Sequence, residues 1–207
     1  YVWQLEEPRV GQSYPNYYAA KLASKFGKVV LSGCGGDELF GGYPWRYFKS
    51  KGEINFNNFL DNYYLKWHRL VPNKRIKELL HPIWDDVKHV STKDIFANVF
   101  PKEMQCKLNT EEAFNSSLYF EAKTFLHGLL VVEDKLSMAH SLESRVPFLD
   151  NDLVDFAIKL PSNFKVKKVI PVVDENELGK KRQYTKDGKY ILRKALSRYL
   201  GDEIAMD

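Results

Sequence analysis

Tyr18, Leu22 and Phe26 recur at four-residue spacing with Ala19 and Ala23 beside them, which predicts a helix over residues 13–27. Gly27 is placed to supply a left-handed turn at its end. Lys28, Val29, Val30, Leu31 and Ser32 then form a short β-branched run without alternation, the pattern of a strand covered on both faces in a parallel sheet. From Tyr43 to Leu160 the chain is helical and aromatic in character, with few strand signals and irregular breaks near 51–58, 71–73 and 81–82. Thr110, an oxygen cap ahead of Glu111 and Glu112, predicts a helix start leading into Phe114, Leu118, Phe125 and Leu129. Leu153, Phe156, Ala157 and Leu160 predict a helix that begins after Asp150 or Asn151 and stops at Pro161. The basic, punctuated stretch 165–189 reads as a surface hairpin or mobile loop. A last helix is expected from about Lys189 to Leu200, with Leu192, Ala195, Leu196 and Tyr199 on one face and Gly201 beyond it.

Composition narrows the class. The chain has 207 residues, 44% hydrophobic and 28% charged, which is enough for one domain, or one piece of a larger one, with a real core. Wholesale disorder and fibrous repetition are excluded. No apolar run approaches the ~18 residues of a membrane helix, and Tyr1 to Glu7 lack the regions of a signal peptide, so a cytoplasmic location is the default. Cys34 and Cys106 lie far apart without a CxxC or His-rich neighbourhood, so free thiols are expected. The opening without Met, in a Trp/Leu/Glu/Pro stretch, reads like the middle of a longer protein.

Five of the twelve glycines (Gly33, Gly35, Gly36, Gly41 and Gly42) fall within ten residues directly after the expected strand. The dinucleotide fingerprint fails here, because counting from Gly33 puts Glu38 where the third glycine should be. A P-loop counted from Gly36 reaches Gly41 but then gives Gly42 and Tyr43 in place of the Lys and the hydroxyl. Gly35 to Leu39 also resembles the diguanylate cyclase signature, which sits on a hairpin between two strands, whereas here a strand enters and a helical stretch leaves. Two readings of the loop stay open. Its amides can cradle a phosphate while a carboxylate holds Mg2+, or it is a tight packed turn with Asp37 capping the next helix.

A second constellation runs from Glu133 to Asp150, with six charged groups among apolar anchors in Glu133, Asp134, Lys135, Glu143, Arg145 and Asp150. Buried charge is tolerated when paired, so Glu143 with Arg145, or Asp134 with Lys135, is expected wherever the segment is interior. A structural salt-bridge network is the plainer alternative. His140 reads as a packed or surface histidine.

Taken together, Ser32 to Tyr43 resembles the loop usually written SGEGGDELFGGY in the synthetase domain of the glutamine-hydrolysing asparagine synthetases. Asp134 to Asp150 resembles that family's DRxSMAxSLExRxPFLD segment, and Asp187 to Arg193 matches a third in the same order. The resemblance covers nearly the whole chain. It implies an α/β fold of the ATP pyrophosphatase (adenine nucleotide alpha hydrolase-like) type, here a mostly helical C-terminal part with few strands. It also implies amidation of aspartate to asparagine through a β-aspartyl-adenylate, with ATP and Mg2+ and with ammonia from an N-terminal glutaminase domain of the same polypeptide. Carried over, Ser32, Gly33, Gly35 and Gly36 contact ATP, Asp37 holds Mg2+, and Lys189 neutralises the pyrophosphate. Glu38, Asp134, Lys135, Glu143 and Arg145 line or brace the substrate pocket. A homodimer is compatible with the resemblance; nucleic-acid and membrane partners are not implied.

Two departures qualify this. Cys34 stands where the family has a Glu linked to forming or using the adenylate, and a neutral thiol does not replace a carboxylate unless its pKa falls well below ~8.5. Position 34 is therefore a catalytic candidate, and another carboxylate, such as a sugar acid, peptide or antibiotic precursor, is an alternative acceptor. The family's SGGxDS loop and the glutaminase nucleophile are absent from these residues. The chain is thus expected to be the C-terminal part of a longer polypeptide, inactive alone. The rival reading is a basic RNA-binding module, resting on the pI near 8.8 and the lysine-rich stretch 165–194, with weak motif support.

Overall fold

The computed structural model describes residues 1–7, 13–47, 52–67, 71, 73–167 and 188–206. A short α1 (Val2–Leu5) precedes α2 (Ser13–Ala23), β1 (Val29–Leu31) and α3 (Gly36–Phe40). The central part holds β2 (Ile54–Asn55), α4 (Phe56–Trp67), α5 (Asn73–Leu79), α6 (Trp84–Val87), α7 (Thr92–Ala97) and β3 (Lys107–Leu108). Next, α8 (Thr110–Phe120) runs through a π-helical turn (Glu121–Leu126) into α9 (His127–Met138), which leads to β4 (Glu143–Arg145). The chain continues through α10 (Asn151–Lys159) and α11 (Ser162–Lys165) to α12 (Tyr190–Leu200) and α13 (Asp202–Ala205).

Two small sheets organise these helices. β1 and β4 pair in parallel with Val30 opposite Ser144, and β2 and β3 pair antiparallel with Ile54 opposite Leu108. The parallel pair carries the glycine loop at its C-terminal end, where ligands bind in open parallel sheets. The second sheet caps an aromatic core in which Phe59, Tyr63, Phe96, Phe100 and Phe120 interlock, with the Phe96 and Phe120 centroids 4.3 Å apart. A separate apolar cluster of Leu39, Phe40 and Ala157, joined by Leu153, Ile191 and Leu192, clamps α3 between α10 and α12. That clamp fixes the helix leaving the loop.

Several sequence expectations hold. α10 begins with the Asp150 carboxylate accepting from the Asp152 and Leu153 amides and ends before Pro161. α12 ends at Gly201, both cysteines are free, and His140 packs on Tyr17 with centroids 4.5 Å apart.

Others need correction. β1 is not covered on both faces: Leu31 is 71% exposed and Val29 44%, because the helices packed on it here lie along the opposite side. In α2 the large side chains Tyr18 and Leu22 point outward, as does Phe26 in the turn beyond it, while Tyr17, Ala20 and Ala23 take the covered side, where small alanines allow close approach to α9. That helix stops at Ala23, so Gly27 is not its left-handed cap. The cap of α8 is Asn109 rather than Thr110. Its side chain accepts from the Glu112 amide at 3.0 Å and Glu112 accepts from the Asn109 amide at 2.7 Å, a reciprocal box that Thr110, one residue inside, cannot make. On α12, Leu196 and Tyr199 are exposed and packing runs through Ile191 and Leu192. β4 had no sequence signal, being three residues with charges at both ends. The predicted hairpin at 165–189 lies, over 168–187, outside the described residues; Lys165 itself ends α11 and is buried.

Candidate active site

The loop leaves β1 through Ser32, whose amide donates to the Arg145 carbonyl at 2.8 Å and so extends the parallel pairing by one residue. The Ser32 hydroxyl then turns back to accept from the Cys34 amide at 3.2 Å. Gly35 follows at φ 90°, a left-handed conformation, and the place of its missing side chain is filled by Leu149. Two needs, positive φ and close packing, therefore fall on one residue. Gly36 opens α3, whose first turn carries Asp37 and Glu38.

Asp37 faces solvent in part. Its carboxylate pairs with the Lys189 ammonium at 2.8 Å, with the two side chains 29% and 37% exposed. Lys189 is held for this contact. Its amide donates to the Phe40 carbonyl at 3.0 Å, its backbone takes φ 57°, and the Arg193 side chain braces the preceding Gly188 carbonyl at 3.1 Å. A non-glycine residue in that region costs on the order of 1 kcal/mol or more and marks a position that the surroundings over-determine. Gly42 completes the arrangement: any side chain there would run into the Asp37 carboxylate and lie 2.8 Å from its Cα.

Glu38 points the other way. It is 2% exposed, and burial pushes its carboxyl above the ordinary range, with Asp37 adding to the rise. The Tyr43 phenol hydrogen-bonds it, and burial pushes that phenol up in turn. Below lies a buried ion pair in which Arg46 donates to Glu121 at 3.1 Å, its guanidinium 4.3 Å from the ring centroids of both Tyr43 and Phe125. Glu121 opens the π-helical turn, the kind of irregularity found at functional sites.

On the other flank, Cys34 Sγ donates to Glu133 Oε2 at 2.6 Å, and the other Glu133 oxygen accepts from the Ser144 hydroxyl. Burial and the Glu133 contact push the thiol up to about 11, so it stays protonated. Burial also acts to raise the Glu133 carboxyl, but hydrogen bonds from Cys34, Ser144 and Ser32 outweigh it and hold the group below its ordinary value. Ser32, Glu133 and Ser144 edge a cleft of about 270 Å³ floored by Val30 and Leu136.

Ser32, Gly33, Cys34, Gly35, Gly36, Asp37 and Lys189 thus gather at one end of the parallel pair, with Glu38 beneath. The remaining candidates are more dispersed. Lys135 turns to the N-terminal segment, pairing with Glu6 at 2.7 Å and the Leu5 carbonyl at 3.0 Å, while Asp134 is exposed. Glu143 and Arg145 pair at 2.8 Å on the exposed side of β4. Glu133 is the residue that sequence reasoning counted in the charged segment but gave no role, because the family segment it resembles was matched from Asp134 onward.

Among the described residues no group of three or more His, Cys, Asp or Glu could hold a metal ion. A lone, partly exposed Asp37 still fits Mg2+, which is commonly held by one or two carboxylates together with substrate phosphates and water. Among the same residues no helix is long and apolar enough to cross a membrane.

A glycine-rich turn at the carboxyl ends of parallel strands, with the Asp37 carboxylate and the Lys189 ammonium converging on it, marks the position of ligand sites in open α/β sheets. The asparagine synthase family model matches residues 1–207, and the chain belongs to that family. It is 28% identical to asparagine synthetase [glutamine-hydrolyzing] 1 of Bacillus subtilis (strain 168), over 94% of this chain and 32% of that protein. It is 32% identical to asparagine synthetase [glutamine-hydrolyzing] 3 of the same organism, over 85% of this chain and 25% of the relative. A putative asparagine synthetase [glutamine-hydrolyzing] of Mycobacterium bovis (strain ATCC BAA-935 / AF2122/97) is 30% identical, over 80% and 29%. The chain therefore spans about a third or less of the length of these curated relatives. No solved structure matches it.

Proposed function

We propose that this chain is part of the synthetase half of an ATP-dependent amide-forming ligase built on an ATP pyrophosphatase-like fold. The acceptor carboxylate, aspartate in the first instance, attacks the α-phosphate of ATP to give an acyl-adenylate and pyrophosphate. Ammonia released from glutamine by a separate glutaminase domain then displaces AMP. The observation that carries this reading is the Asp37–Lys189 pair at the mouth of the glycine loop.

The roles follow from chemistry. In the Ser32–Gly36 turn the Gly33 and Gly35 amides face the phosphates, while those of Ser32, Cys34 and Gly36 donate within the protein and hold the turn's shape. Asp37 is the carboxylate for Mg2+, which supplies charge neutralisation on the polyphosphate when bound. Lys189, a mobile point charge on an over-determined backbone, moves from Asp37 to the leaving pyrophosphate as negative charge develops there. Burial pushes the Glu38 carboxyl up and the Tyr43 phenol bonds it, which disfavours a second anion under the phosphates. Asp134, Lys135, Glu143 and Arg145 act from further out, as braces of α9 and β4.

Cys34 favours the second reading, in which the acceptor is a different carboxylate. A thiol held protonated presents no charge to the acceptor's amino end. The test is aspartate-dependent exchange of labelled pyrophosphate into ATP by the complete polypeptide, with sugar acids and peptides run in parallel. Exchange with aspartate supports the first reading and exchange only with another carboxylate the second. No exchange with any carboxylate overturns both.

A further inference from the structure

Position 34 and Glu133 are 99 residues apart in sequence and in direct contact in space. The loop carries no carboxylate at position 34, yet one reaches the same spot from α9. We infer that Glu133 is the proton acceptor of the amide-forming step, a carboxylate delivered across the cleft to the side of Cys34. The inference rests on the adenylation reading given above.

Three observations carry it. First, Glu133 is fixed at both oxygens, by the Cys34 thiol at 2.6 Å and by the Ser144 hydroxyl, so its carboxylate has one orientation. Second, two of its donors, Ser32 and Cys34, lie just past the carboxyl end of β1, where the reacting acyl group sits if the Ser32–Gly36 turn holds the nucleotide, and the third, Ser144, is the middle residue of β4. Third, it is half-buried and edges the 270 Å³ cleft, so a substrate nitrogen can reach it.

The step balances without any further reactant. The nitrogen lone pair forms the C–N bond on the acyl-adenylate, the C–O bond to AMP breaks with its electron pair, and one N–H proton passes to Glu133. Once attack has begun the nitrogen is cationic and strongly acidic, so an ionised carboxylate suffices even with its pKa held below the ordinary value. Cys34 forms no covalent bond. As a protonated donor it orients the base, and a serine hydroxyl could do the same.

The two half-reactions separate this from the reading on which it rests. In the complete polypeptide, Glu133→Gln is expected to lower amide formation from ammonium by about 100-fold or more. Carboxylate-dependent pyrophosphate exchange should stay within a few-fold of wild type. Equal loss of both half-reactions together with a lowered Tm would make Glu133 a structural brace and overturn the proposal, as would unchanged amide formation. Absence of exchange in the wild type would instead sink the adenylation reading. The contact itself has a readout free of activity: Glu133→Gln removes the charge that helps hold the thiol protonated, so alkylation of Cys34 by iodoacetamide at pH 8 should quicken several-fold. An unchanged rate would overturn the pair.

Discussion

The Lys189 ammonium meets the Asp37 carboxylate at 2.8 Å from a left-handed backbone position, at the N-terminal end of α12 and across the glycine loop. Two segments separated by most of the chain are thereby closed over one point. Both partners are partly exposed, so the contact adds little to stability and its worth lies in poise. Replacing Lys189 with Met should leave the Tm within about a degree or two, yet slow pyrophosphate exchange by roughly 100- to 1,000-fold, the usual cost of removing one charge-stabilising donor. Exchange kinetics and a thermal scan of the complete polypeptide check both halves.

Gly42 controls the same pair sterically. A methyl group at that position meets the Asp37 carboxylate and backbone, so Gly42→Ala must displace α3 or turn Asp37 away. Overpacking of this kind costs about 1–3 kcal/mol. Urea denaturation should show that loss together with weakened Mg2+-dependent nucleotide binding, whereas a Gly27→Ala control, whose methyl group meets only the Val29 carbonyl oxygen at an ordinary 3.6 Å, should show neither.

Glu38 gives a pH signature. Its folded-state pKa is raised, chiefly by burial, so the folded chain binds more protons than the unfolded one between the ordinary carboxylate pKa of 4.5 and the higher folded value. Its contribution is fully present below 4.5 and lost as pH rises through the folded value. Glu38→Gln, neutral at every pH, should flatten that descending limb and leave stability at neutral pH equal or higher. Denaturation midpoints from pH 4 to 8 read it out.

Arg46 and Glu121 support the loop from below. Removing the guanidinium strips the buried carboxylate of its cationic partner and empties the cage of Tyr43, Phe125 and Trp67. Arg46→Ala should cost about 3–5 kcal/mol. Glu121→Gln, which keeps the shape and a hydrogen bond to the guanidinium, should cost less, and the difference is measurable in urea.

The sequence disclosed those parts of the site in which local chemistry and position coincide. The glycine cluster after a β-branched run placed the loop, and the Asp150 cap with Pro161 placed α10, because caps and breakers act within a few residues. Lys189 came through resemblance, since nothing local ties it to Asp37. Glu133 was legible only as one charge of its segment, because its partner Cys34 stands 99 residues away on the loop after β1 and no periodicity encodes that meeting. The false expectation for β1 has a similar cause: an apolar run reports capacity for burial, while the covering of Leu31 depends on what packs against it. In α2 the bulky residues suggested the packed stripe, but close approach to α9 selected the alanines.

The central claim is that the turn leaving β1, with Asp37 and Lys189, holds a metal-chelated polyphosphate. The most direct measurement is a crystal structure of the complete polypeptide with Mg2+ and the α,β-methylene analogue of ATP. The account predicts phosphate oxygens within hydrogen-bonding distance of the Gly33 and Gly35 amides, the metal on Asp37, and Lys189 withdrawn from Asp37 toward the β-phosphate. Nucleotide bound elsewhere, with the Asp37–Lys189 pair intact and the turn closed by packing, would contradict it.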